Sequence, residues 1–125
     1  MRPTTLLSGF IIFFLLISCI DQQSENTKTS YQWNWSSNWE KEQINWVILT
    51  DHVQLKKYDV AKEKLNWFLK ENPKLNPSLY INGRIIYENL IEDCDDPEIK
   101  SELISEEKRM KELMMKNFPF FDNGS

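Results

Sequence analysis

The chain has one histidine, two cysteines and three glycines among its 125 residues, and each scarcity removes a class of chemistry. His52 lies beside Asp51 and one turn from Lys56, with no serine or second cysteine near it in sequence. It therefore offers neither a nucleophilic triad nor the paired-histidine spacing of a zinc protease. The glycines, at positions 9, 83 and 124, build no phosphate-cradling loop. Glu92, Asp93, Asp95, Asp96 and Glu98 crowd together, but they lack the glycine turn and alternating ligand order of a calcium loop. They read as a solvated loop in which Asp96 caps a helix. A net charge of −4 leaves no clustered basic surface to neutralise phosphates, so nucleic acid is not an expected partner. The expectation is a protein that is not an enzyme, with no catalytic residues, no cofactor and no metal.

A long apolar run is missing too. Phe10 to Ile17 is apolar but far shorter than the roughly 20 residues that span a bilayer. With Arg2 ahead of it, the run has the layout of a secretory signal peptide. It ends Leu16-Ile17-Ser18-Cys19, which resembles the lipobox of bacterial lipoproteins. That resemblance implies cleavage before Cys19, residues 1–18 as the removed signal peptide, and diacylglycerol and palmitate-type acylation on the Cys19 thiol. The membrane partner would be held through that lipid, since two or more acyl chains anchor stably where one does not. Loss of residues 1–18 takes away Arg2 and leaves 107 residues of net charge −5. Cys94 then has no partner for an intramolecular disulfide, and a buried structural thiol is its expected state. Ile20, rather than aspartate, follows the lipidated cysteine, which favours the outer membrane over another cell membrane and leaves the facing open.

Residues 19–36 read as the lipidated cysteine and a polar tether, because Ile20 to Gln32 has little to bury. Four of the five tryptophans crowd into Tyr31 to Trp46. Ser37-Asn38-Trp39-Glu40 fits a capping box and predicts a helix start. Trp39 and Trp46 fall seven residues apart on that helix and are expected in the core. Trp33 and Trp35 lie outside it, and two readings stay open for them. They close a core as a lid, or they present indoles to a partner, a sugar ring or the membrane interface.

From Trp39 the apolar spacing is helical throughout. The first helix is expected to reach about Lys57 with Ile44, Val47, Ile48 and Leu55 on one side and Trp46, Leu49 and Val53 beside them. A second, capped by Asp59, carries Ala61, Leu65, Phe68 and Leu69 and stops before Pro73. Asn76-Pro77 opens a third with Leu79, Ile86 and Leu90 on one face and Ile81 and Ile85 on another. Asp96-Pro97 opens a fourth carrying Ile99, Leu103, Met110, Leu113 and Met114. Glu107 and Lys111 are placed to pair along it.

The stretch YDVAKEKLNWFLKENP sets Ala61 twelve residues ahead of Pro73, with Phe68 between them. Gly83 follows in the next helix, a small residue where two helices pack closely. These features resemble tetratricopeptide repeats. The run from Ala61 through YINGRIIYENLIEDCDDPE is similar to helical-repeat proteins common in Bacteroidota. The resemblance spans about residues 42–118 and departs from the repeat at Leu49 and in the long acidic loop. It implies an all-α fold: two antiparallel helix hairpins in a short, right-handed repeat stack over residues 37–118, with a C-terminal tail at 119–125. Two hairpins are few for such a stack, so its ends call for a cover. Trp33 and Trp35, the aromatic tail with Phe118, Phe120 and Phe121, self-association or a partner could each supply it; a lid from the two aromatic ends is favoured.

In such stacks the first helix of a hairpin lines the concave face. Tyr80, Arg84 and Tyr87 are therefore candidate partner-binding residues alongside Trp33 and Trp35, with Asn82 facing Tyr87 and Arg84 facing Glu88. The expected function is a lipid-anchored cell-envelope adaptor or scaffold acting by contact with a protein partner. Two alternatives remain: an immunity or exclusion lipoprotein that blocks a toxin or transfer machine, and a glycan-binding envelope lipoprotein.

Overall fold

The computed structural model describes residues 31–121. Within them the chain is all-helical: α1 (Trp39–Gln54), α2 (Tyr58–Glu71), α3 (Ser78–Glu92) and α4 (Pro97–Asn117), with no strand among the described residues. The signal peptide, Cys19 and residues 20–30 of the tether lie outside the described residues. Short connections fold α1 against α2 and α3 against α4 as antiparallel hairpins. α2 packs on α3 to join them, while α1 touches α3 and does not reach α4. α1 and α4 are thus the two outer layers.

Local chemistry sets most of the boundaries. Asp96 Oδ1 accepts the amide N–H groups of Glu98 and Ile99, and Pro97 sits in the first turn of α4, as its sequence predicts. Asn76 Oδ1 likewise accepts the Ser78 amide at 2.9 Å. α2 ends at Glu71 because Asn72, ahead of Pro73, is pushed out of the helical region to φ −152°. α1 stops at Gln54, three residues short of expectation. Lys56 takes a left-handed φ of 58° that turns the chain sharply into α2. Asp59 does not cap α2, which begins one residue earlier at Tyr58 with no side-chain cap.

The start of α1 differs from the expected capping box. Ser37 and Glu40 make no such pair, and the N-cap position, Asn38, has no capping side chain. Instead, Ser36 donates its amide and hydroxyl to the two carboxylate oxygens of Glu42, at 2.9 and 2.6 Å. Asn72 donates to the same carboxylate at 3.2 Å, and Glu42 is buried. A buried carboxylate is tolerated only with such donors around it. The helix start is therefore held by Ser36, six residues before Glu42, together with Asn72, 30 positions away, which no capping motif announces.

The core is built from Leu49, Ala61, Leu65, Phe68, Leu75, Leu79, Tyr80, Ile86, Tyr87, Met110, Met114 and Phe118. Gly83 lies where α3, α2 and α4 meet. A Cβ there would stand 3.1 Å from Met110 Sδ and 3.3 Å from both Leu65 methyls. The sequence reading of Gly83 as a close-approach residue is met by this geometry. α1 departs further from its reading. Glu42, Asn45 and Leu49 face inward with Trp46 and Val53 beside them, while Ile44, Val47 and Leu55 point to solvent. The apolar residues of α1 are spread around the helix rather than gathered in one stripe, so periodicity alone cannot choose the buried side. Trp39, expected in the core, is about half exposed.

Candidate interaction surfaces

Residues 31–36, assigned to the tether from sequence, are docked on the helices. The Asn34 amide donates to the Leu75 carbonyl at 2.9 Å, and its side chain donates to the Lys74 carbonyl. Asn72 and Asn76 donate back to the carbonyls of Asn34, Tyr31 and Gln32. Residues 31–36 therefore belong to the folded body. Its α2–α3 connection, residues 72–76, serves as the clamp.

This clamp brings the two aromatic ends together. Tyr31 meets Phe118 and Phe121 edge-on, with ring centroids 5.7 and 5.4 Å apart, and Phe118 in turn meets Tyr80. Next to them Trp33 and Trp35 stack nearly parallel, 5.2 Å apart, and Trp46 braces Trp33 edge-on at 5.0 Å. Trp46 continues the chain of rings to Phe68 in the core. Edge-to-face and offset contacts of this kind add specificity to burial. The lid reading is what the geometry shows for Trp35, which packs on the core. Trp33 rests on that lid with 40% of its surface still exposed. Phe120, by contrast, points almost wholly into solvent and covers nothing.

The other candidates fall differently. Tyr80 is fully buried; its hydroxyl donates to the Pro73 carbonyl at 2.6 Å and accepts from Asn117. Burial raises its phenol above the usual value, a rise the Asn117 hydrogen bond partly opposes. Tyr87 is buried as well, and burial raises its phenol, helped by the nearby Glu106 carboxylate. Neither ring offers a surface to a partner, so the reading of Tyr80 and Tyr87 as a concave contact face is corrected: they are core. Arg84 is half-buried and spans two acids, Glu88 at 3.7 Å and Glu107 at 3.6 Å. Its Nε is shielded from solvent and too far from Glu107 for a hydrogen bond, so the contact is an ion pair. Glu107 also holds Lys111 at 3.2 Å, the pairing expected from sequence. Arg84 thereby ties α3 to α4. Asn82 donates within its own helix to the Ser78 carbonyl and does not face Tyr87 as a partner.

At the opposite end of the helices, an open groove of about 580 Å³ lies between the α1–α2 and α3–α4 turns. Lys56, Lys62, Asp93, Leu90, Ile99 and Leu103 line it, and its wall includes Cys94. Cys94 is half-buried rather than enclosed, with its thiol 3.4 Å from the Asp96 carbonyl. His52 is half-buried on α1 and donates from Nδ1 to the Ile48 carbonyl, a structural bond within its own helix. Among the described residues, no three His, Cys, Asp or Glu side chains converge on a point where a metal would sit. Among them, too, no helix is long and apolar enough to cross a membrane. Compared with known proteins, the chain matches no family model, and neither a curated protein nor a solved structure shows significant similarity to it.

Proposed function

We propose that the chain is a lipid-anchored cell-envelope adaptor, held at a membrane through Cys19 and acting by protein contact through its helical body. The observation that carries the reading is the indole surface at the end where the tether enters. Trp33 is held rigid by its stack on Trp35 and by the edge of Trp46, yet 40% of it faces solvent. A large apolar ring fixed in one rotamer and left uncovered loses little entropy on binding, which is the character of an interface anchor. The lipobox-like Leu16-Ile17-Ser18-Cys19 supports the membrane attachment, and outer-membrane residence follows from Ile20 as the next residue. A flat, exposed indole also suits a sugar ring, which keeps glycan binding as the second reading.

The test is capture from detergent-solubilised membranes with wild type and Trp33→Ser. Trp33→Ser, unlike a Trp35 change, removes a mostly exposed ring and is expected to keep the helical circular dichroism of the parent. One envelope protein should come down with wild type and be lost with the variant, while Cys19→Ala moves the protein out of the membrane fraction. Equal recovery with both forms, or no specific protein with either, sinks the adaptor reading. A tryptophan emission shift on adding cell-wall polysaccharide, absent in Trp33→Ser, would install the glycan reading in its place.

A further inference from the structure

The outward faces of the two outer helices carry matching rows of opposite sign. On α1 the row runs Glu40, Ile44, Val47 and Asp51 and ends at the C-cap residue Leu55, with its three apolar members between 55% and 63% exposed. On α4 it runs Lys100, Ile104, Lys108, Lys111 and Met115, where Ile104 is 50% and Met115 70% exposed. Glu112 borders the α4 row but leaves it net basic. Glu40, Asp51, Lys100 and Lys108 make no ion pair among the described residues, and Lys111 holds only the surface pair with Glu107.

The spacing agrees as well as the sign. Glu40 and Asp51 are 11 residues apart, as are Lys100 and Lys111; at 1.5 Å per residue each pair spans about 16 Å. Within the fold α4 runs opposite to α1, because three successive antiparallel turns separate them. A second copy stacked in the same orientation therefore lays its α1 antiparallel on the first copy's α4. That direction sets Glu40 against Lys111, Val47 against Ile104 and Asp51 against Lys100 in one register. Pairing α1 with α1 would instead bring acids together in an apolar seam, and α4 with α4 would bring lysines together. Like charges so placed disfavour the self-matched arrangements.

From this we infer that the chain associates head to tail with further copies of itself, the α1 face of one copy seated on the α4 face of the next. The contact is heterologous, so it propagates into rows or closes into rings rather than stopping at a dimer. It also continues the logic of a helical stack, whose layers bury their faces against neighbours. A seam one helix wide falls below the roughly 800 Å² per partner of a stable complex. The association is accordingly weak in dilute solution and strong at the local concentrations that confinement to a surface provides.

The test is disulfide trapping of the full chain in cells, in a Cys94→Ser background. Val47→Cys with Ile104→Cys in one chain should give a ladder of dimers, trimers and larger species under mild oxidation. Each single cysteine alone should give none, as should the parent carrying only Cys19. Asp51→Lys should reduce the ladder at least several-fold, and adding Lys100→Asp to the same chain should restore it. Dimers from Val47→Cys alone would overturn the inference in favour of a two-fold contact. Trapping to a band of another protein's mass would assign the face to a different partner. No ladder, or one indifferent to the charge exchange, also overturns it.

Discussion

Glu42 is the residue whose loss the fold should feel most. Its carboxylate sits in the interior with no cation paired to it among the described residues, held by the Ser36 amide and hydroxyl and by Asn72. Glu42→Ala leaves those three donors without their acceptor, at roughly 1–3 kcal/mol for each one that stays unpaired, and the exposed Ser36 lets water satisfy part of the loss. Urea unfolding should show a loss of about 2–4 kcal/mol, with Glu42→Gln losing less because it keeps one acceptor. The two buried phenols make a second prediction. Tyr80 and Tyr87 titrate above the ordinary tyrosine value of about 10 in the folded state. The folded chain therefore holds these protons where the unfolded chain releases them. Their contribution to stability is whole below pH 10 and is lost as the pH climbs through the raised folded values. Thermal melts should fall above pH 10, and Tyr80→Phe should shrink that fall, although it gives up the bonds to Pro73 and Asn117.

At the scale of elements, the terminal turns were legible because their causes are local. Asp96-Pro97 carries cap and first-turn residue side by side, and the structure uses both; at Asn76-Pro77 the Asn76 side chain accepts the Ser78 amide, but Pro77 itself stands at the N-cap position. The orientation of α1 was not legible. Ile44, Val47 and Leu55 look like a core face, yet the buried side carries Glu42 and Asn45, and one of the donors that satisfy Glu42, Asn72, arrives from a distant part of the chain. Tyr80 and Tyr87 were placed on a concave face by likeness to a repeat stack; both are buried, and Asn117 and Pro73 satisfy the hydroxyl of Tyr80 inside. Gly83 was legible because a missing side chain between two helices has one common cause. Gly83→Ala gains up to about 1 kcal/mol of helix propensity. Against this it presses a methyl into Met110 on one side and both Leu65 methyls on the other, costing about 1–3 kcal/mol. The net should be a melting temperature lower by several degrees, with Gly83→Val lower still.

For the molecule as a whole, the helical body could be read from its periodicity, but its edges could not. Residues 31–36 look like more tether because they follow a polar stretch and precede the first helical periodicity. They belong to the body because asparagines at 72 and 76 supply side-chain donors to an extended backbone. Of the named indoles and tyrosines, only Trp33 and Trp39 keep substantial exposed surface. The aromatic cluster of Tyr31, Phe118 and Phe121 closes the core beside the α2–α3 connection, while the outward faces of α1 and α4 stay uncovered.

The clamp at residues 72–76 has a mechanical side. A load applied to the chain ahead of Tyr31 does not reach α1 first. It is borne by the Asn34–Leu75 backbone bond and by the side-chain bonds of Asn72 and Asn76, which grip residues 31–34 in the middle of the molecule. These bonds act in parallel with one another, so they share the tension before any helix is asked to unwind.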